Sequence, residues 1–133
     1  MKLTPYLVFN GQGEEALDFY TGILGGHVEN LHRYDSIPDI PDDFKQKILH
    51  ACLTFDEGSL SIADTMPNDR ADFGRLGYMM TLAFDSIAEI EKVYAGLCDG
   101  AQEIRCQLGE TFFAKRYAEV YDRFGVLWAL IFE

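Results

Sequence analysis

Apolar and aromatic residues fill Leu3 to Phe9 and stop at Asn10-Gly11-Gln12-Gly13, a pattern that predicts a strand closed by a turn. From Glu14 to Leu24 the spacing turns helical, with Ala16, Leu17, Tyr20, Ile23 and Leu24 on one side. Glu14 and Glu15 occupy the first turn, at the positive end of the helix dipole, and Gly25-Gly26 is a natural stop. A second strand is expected over His27 to Tyr34. Ser36 to Gln46 holds Pro38, Pro41 and several aspartates and reads as an irregular surface loop. Ile48 to Phe55 and Ser59 to Ala63 are the next two strands, joined by the tight turn Asp56-Glu57-Gly58.

Asp64 to Leu76 looks like a connection, and the pattern then starts again. Tyr78 to Phe84 is a strand. Ser86-Ile87-Ala88-Glu89 fits a capping box, and Ile87, Ile90, Val93, Tyr94 and Leu97 form an amphipathic stripe ended by Gly100. Glu103 to Leu108, Phe112 to Tyr121 and Val126 to Phe132 are three further strands. A shift of 74 positions lays Phe19-Tyr20-Thr21-Gly22 on Val93-Tyr94-Ala95-Gly96 and Gly26 on Gly100, with Phe9 meeting Phe84 after one gap. Near the end, Leu53-Thr54-Phe55-Asp56 lies on Glu119-Val120-Tyr121-Asp122. The matches keep their order, which points to a duplicated βαβββ module.

The duplication has a physical consequence. One helix covers only one face of a four-stranded sheet, so the other face needs a second module or a ligand. Two modules side by side would make a curved eight-stranded sheet, helices outside, with a concave face suited to a small molecule. Short edge strands favour a second copy, hence a homodimer.

Composition narrows the partners. The chain has 133 residues, one domain's worth, with 22 acids against 11 Lys and Arg and a formal charge of −11. A nucleic acid or an anionic membrane surface needs concentrated positive charge, so neither is expected. The longest apolar run, Val126 to Phe132, is far short of the roughly 20 residues of a spanning helix. Met1-Lys2-Leu3-Thr4-Pro5 shows no secretory pattern. Cys52, Cys98 and Cys106 lack metal-type spacing and read as the reduced, packed cysteines of a cytoplasmic protein.

Several stretches carry a family resemblance. They are Pro5-Tyr6-Leu7-Val8-Phe9-Asn10-Gly11, Glu15-Ala16-Leu17-Asp18-Phe19-Tyr20, Leu24-Gly25, His50-Ala51, Ala63-Asp64 with Met66-Pro67, Glu110-Thr111-Phe112-Phe113-Ala114, and Tyr121-Asp122-Arg123-Phe124-Gly125-Val126 with Trp128. In this order they resemble the PhnB-like branch of the vicinal oxygen chelate superfamily, which includes glyoxalase I, bleomycin- and fosfomycin-resistance proteins and extradiol dioxygenases. The resemblance implies one α+β domain over residues 1–133, with modules of about 1–66 and 74–133 forming a half-barrel. Members of this branch have been named 3-demethylubiquinone methyltransferases, but the chain has no nucleotide-type doubly wound pattern to support methyl transfer. The superfamily's metal ligands, carried onto this chain, fall near Tyr6, Ile62, Met79 or Met80, and Ala129. None is a His or a carboxylate, whereas a first-row ion needs three or four converging donors. No cofactor is therefore expected, with a divalent metal on non-standard ligands as the alternative.

The remaining candidates are polar and aromatic residues on strands. His50 opens the third strand and can act as a general base or orient a ligand oxygen; its plainer reading is an exposed strand-end imidazole. Glu119 alternates with Tyr117 and Tyr121, so it is either an acid or base with a raised pKa or an exposed strand glutamate. His50 and Glu119 are the catalytic candidates. Tyr6, Asp64, Met79, Phe112, Tyr117 and Trp128 are the ligand-lining candidates, the alternative for the apolar ones being the core. Three functions follow: a metal-free small-molecule binder that moves a proton beside a bound oxygen or carbonyl, a metal-dependent lyase, isomerase or dioxygenase with non-standard ligands, or a resistance-type protein that sequesters a cationic drug.

Overall fold

In the computed structural model, which describes residues 1–133, two runs of strand, helix and three strands follow one another. The first has β1 (Tyr6–Phe9), α1 (Gly13–Leu24), β2 (His27–Arg33), β3 (Ile48–Phe55) and β4 (Gly58–Asp64). The second has β5 (Met80–Ala83), α2 (Ile87–Cys98), β6 (Glu103–Gly109), β7 (Arg116–Tyr121) and β8 (Leu127–Phe132). The chain divides into two compact units, Met1–Asp72 and Phe73–Glu133. Each holds one four-stranded sheet, ordered β1-β4-β3-β2 and β5-β8-β7-β6. The opening strand of each unit pairs in parallel with its last strand, and the other pairings are antiparallel. This is the α+β, two-module architecture the sequence pattern predicts.

Each helix covers one face of its own sheet. α1 buries Ala16, Leu17 and Tyr20, while β1, β3 and β4 supply buried Leu7, Phe9, Ala51, Leu53, Leu60 and Ile62. α2 buries Ile90, Val93 and Leu97, and β7 and β8 supply Ala118, Val120, Trp128 and Leu130. The helix ends carry the Ser86 half of the expected capping box and the expected glycine stop of α1. Ser86 Oγ accepts the Glu89 N–H at 3.1 Å, and the Gly25 N–H closes on the Thr21 carbonyl at 2.9 Å. Gly26 has φ +81, and any Cβ there would run into the Thr54 carbonyl of β3, so the turn into β2 admits only glycine.

Several boundaries differ from the sequence expectation, each for a local reason. β1 begins at Tyr6 rather than Leu3, because Pro5 has no N–H to give a ladder; its carbonyl accepts from Ser61 at 2.9 Å. β7 begins at Arg116 rather than Phe112, because the Thr111 hydroxyl captures the N–H groups of Phe113 and Ala114 at 3.3 and 3.0 Å. The Ser36–Gln46 loop is not wholly irregular. It contains a short 3-10 turn, Asp42–Phe44, and Phe44 packs edge-on against buried Tyr34 at 4.8 Å.

Strand register corrects one part of the repeat alignment. The row Leu7–Ile62–Ala51 of the first sheet matches the row Leu82–Leu130–Ala118 of the second. The spacing between Leu7 and Leu82 agrees with Phe9 on Phe84, but Leu53 now corresponds to Val120, one residue away from the sequence pairing with Glu119. A one-residue slip swaps faces in a strand. The sequence match was anchored on the turn aspartates, and the turns themselves differ: Asp56 and Glu57 link β3 to β4, whereas residues 122–126 link β7 to β8. In the corrected register His50 corresponds to Tyr117 and Cys52 to Glu119.

Candidate functional site

The face of the first sheet opposite α1 carries the chemistry of the first unit. Register places Tyr6, Ser61 and Cys52 in one row on that face, with His50 two residues along β3 from Cys52. The Tyr6 hydroxyl and His50 Nδ1 lie 2.8 Å apart, with ring centroids 5.6 Å apart and tilted by 48°. Tyr6 is half exposed and His50 half buried. Burial raises the Tyr6 pKa, so the phenol keeps its proton at neutral pH. This leaves two hydrogen-bonding patterns. With the phenol as donor, the imidazole proton sits on Nε2; with Nδ1–H as donor, Nε2 is a free base and the phenol proton is available to a ligand.

Asp64, expected among the ligand-lining residues, does something else. It is 2 % exposed, and its two oxygens accept the N–H groups of Gly13 at 2.8 Å and Ile48 at 2.9 Å. The carboxylate fastens the start of α1 and the start of β3 to the end of β4.

In the second unit, Tyr117 and Glu119 share the face opposite α2, as strand alternation requires. Glu119 is neither an exposed strand residue nor an acid of raised pKa. Its side chain is only 18 % exposed, bonded to Arg105 Nε at 2.9 Å and accepting the Tyr117 hydroxyl at 2.8 Å. The Arg105 hydrogen bond lowers its pKa, outweighing the effect of burial, so the group stays a carboxylate. Burial, with the Glu119 hydrogen bond second, pushes the Tyr117 phenol up to about 12. Arg105 was missed in the sequence because it sits in the register break between Ile104 and Cys106, where alternation no longer tells which way a side chain points.

The Tyr117 shift carries a prediction. A phenol protonated to about 12 when folded and to about 10 when free stabilises the fold fully below pH 10 and loses that contribution as pH rises towards 12. Burial also raises Tyr6, Tyr34, Tyr78 and Tyr94, so ultraviolet titration of the folded protein should show several delayed phenols with Tyr117 the last, and Tyr117→Phe should remove that last step; an unchanged final step would contradict the network.

The other predicted lining residues separate. Trp128 is 1 % exposed and faces the α2 side, where its Nε1 donates to Asp122 Oδ2 at 2.9 Å, so it belongs to the core. Phe112 is not core at all: it is fully exposed on the turn before β7. Met79, just ahead of β5, is 47 % exposed. Asp122, in one of the stretches that carry the family resemblance, follows the end of β7. It is completely buried, accepting the Phe124 and Val126 N–H groups at 2.8 and 3.1 Å as well as the Trp128 indole.

The superfamily's metal positions do not assemble a donor set here. Tyr6 lies on the open face, but Ile62 is fully buried on the α1 side, and neither methionine candidate nor Ala129 replaces the missing His or carboxylate. No three His, Cys, Asp or Glu side chains gather around one point. No helix is long and apolar enough to cross a membrane.

Comparison with known proteins agrees with the fold. Protein PA1353 of Pseudomonas aeruginosa is 35% identical and superposes with a TM-score of 0.89, covering 100% of this chain and 98% of that one. The PhnB protein of Bacillus cereus, described as a 3-demethylubiquinone-9 3-methyltransferase, is 25% identical with a TM-score of 0.84 over all of both chains. A glyoxylase/bleomycin resistance protein/dioxygenase domain from a Frankia species shares the fold at 15% identity and a TM-score of 0.71, covering 99% of this chain and 96% of the domain. Residues 1–131 match the family described as 3-demethylubiquinone-9 3-methyltransferase, and the chain belongs to that family.

Proposed function

We propose that the chain is a single vicinal-oxygen-chelate domain that binds a small molecule without the superfamily's usual metal, as a cytoplasmic homodimer. The observation that carries this reading is the Tyr6–His50 pair, a 2.8 Å hydroxyl–imidazole contact on a sheet face that no helix of its unit covers. Paired this way, the two side chains present one donor and one acceptor to a bound oxygen or carbonyl. If the ligand is transformed, His50 is the proton carrier and Tyr6 the positioning hydroxyl. Glu119 is set aside as proton carrier, since Arg105 holds it ionised, and it serves instead to fix Arg105 and Tyr117. That pairing also neutralises the acid that would attract a cationic drug. The family's name does not set the reaction. Both sheets are four-stranded and mixed, unlike the doubly wound parallel sheet that cradles nucleotide cofactors. Three free cysteines suit a reducing compartment.

A thermal-shift screen of aromatic, cationic and dicarbonyl compounds tests the reading. At least one compound should raise the melting temperature. Tyr6→Phe should weaken its binding about tenfold, the cost of one hydrogen bond to a polar ligand, and His50→Ala should weaken it more. Both variants should keep their fold, because neither side chain lies in the core. No shift by any compound, or equal shifts in wild type and both variants, would overturn the site; stoichiometric Zn, Ni, Mn or Fe in the purified protein would overturn its metal-free character.

A further inference from the structure

The turn between β6 and β7 displays aromatic rings outward on a backbone built to hold them. Phe112 is 100% exposed and Phe113 47%. The two rings meet edge-to-face at 5.2 Å, and Phe113 continues onto Tyr117 at 5.1 Å. Beneath them the Thr111 hydroxyl accepts two backbone N–H groups, and the Thr111 N–H donates to the Ala114 carbonyl at 3.0 Å. Two neighbouring phenylalanines exposed together on one hydrogen-bonded turn suit a contact surface.

The charge beside the rings indicates what covers them. Lys115 and Arg116 follow after Ala114, and neither forms an ion pair. Lys115 Nζ lies 4.9 Å from the centre of the Phe132 ring, and Arg116 donates to the Lys115 carbonyl at 2.8 Å. In a chain with 22 acids and 11 bases, two adjacent cations without acidic partners stand out. The same chain offers a complementary surface in its 37–43 segment. There Ile37 is 37% exposed, and Asp39 and Asp43 are exposed acids outside every ion pair.

We propose that this turn is an interface between two copies of the chain: Phe112 and Phe113 of each copy seat on the Ile37–Asp43 segment of the other, with Lys115 and Arg116 facing Asp39 and Asp43. A two-fold axis makes the contact twice. Two copies at −11 repel each other overall, so association has to come from a local patch of opposite charge with apolar rings at its centre. The inference rests on the homodimer reading above and names its surface.

Sedimentation velocity across a concentration series, on the full chain, tests it. The wild type should dimerise, and Phe112→Ser should weaken dimerisation about thirtyfold or more, the scale of a hot-spot truncation, with unchanged circular dichroism and urea midpoint. Charge reversal then tests the seat. Lys115→Glu with Arg116→Glu should be monomeric, as should Asp39→Lys with Asp43→Lys, while an equimolar mixture of the two should form a heterodimer whose contacts are all complementary. A wild type that stays monomeric would sink the dimer reading itself. A dimer unaffected by Phe112→Ser would leave that reading standing and overturn this surface, and a mixture that stays monomeric would overturn the seat on the 37–43 segment.

Discussion

Asp122→Ala will destabilise the protein by about 4 kcal/mol, since it leaves one buried and one part-buried backbone donor and a buried indole N–H without their acceptor, each worth about 1–3 kcal/mol. The side chain is completely buried, so water cannot stand in for it without opening the core. Asp122→Asn separates the parts of this effect. Its carbonyl can still accept from Phe124 and Val126, but its NH2 would face the Trp128 N–H, so about half the loss should remain. Trp128 is the only tryptophan, which makes its fluorescence a direct reporter: urea melts should lose midpoint in the order wild type, Asn, Ala. An Asp122→Ala protein within about 1 kcal/mol of wild type would show that the buried network is not what holds the β7–β8 connection.

Asp64→Ala should cost about 3 kcal/mol, because it removes the acceptor for the Gly13 and Ile48 N–H groups, and a hydrogen bond to a buried carboxylate is worth more than a neutral one. A second substitution makes the test specific. A Cβ on Gly13 would lie 2.9 and 3.0 Å from the two Asp64 oxygens, so Gly13→Ala is crowded only while that carboxylate is present. In the Asp64→Ala background Gly13→Ala should therefore be harmless or slightly stabilising, since alanine is the better helix former. Additive losses in the double variant would mean that Asp64 is not the lock between α1 and β3.

Both aspartates show where the sequence is readable and where it stops. Periodicity identified all eight strands and both α-helices, and the turn residues marked the joins, because burial of one face imposes a period of 2 or 3.6 whatever the neighbours are. It did not show that Asp64 and Asp122 are buried, since an acid at a strand end or turn has the same pattern whether it meets solvent or a set of backbone donors. Glu119 makes the same point from the other side. Its face was predictable from alternation, but the partner that fixes its charge, Arg105, lies in a register break. His50 was visible as a candidate, while its link to Tyr6 depends on the parallel β1–β4 pairing that brings residues 44 positions apart into one cluster. Phe112 was misread because an aromatic at the edge of a strand-like run resembles core, and only the Thr111 turn shows that the strand has not yet begun.

Imidazole NMR reads out directly whether Tyr6 and His50 form the ligand-contacting pair. The three histidines should be assigned by substitution, and the compound that gives the largest thermal shift titrated in. The His50 ring resonances should move with saturation, those of His27 and His32 should move less, and Tyr6→Phe should weaken the His50 response. His50 resonances that stay fixed while the compound binds would contradict that contact.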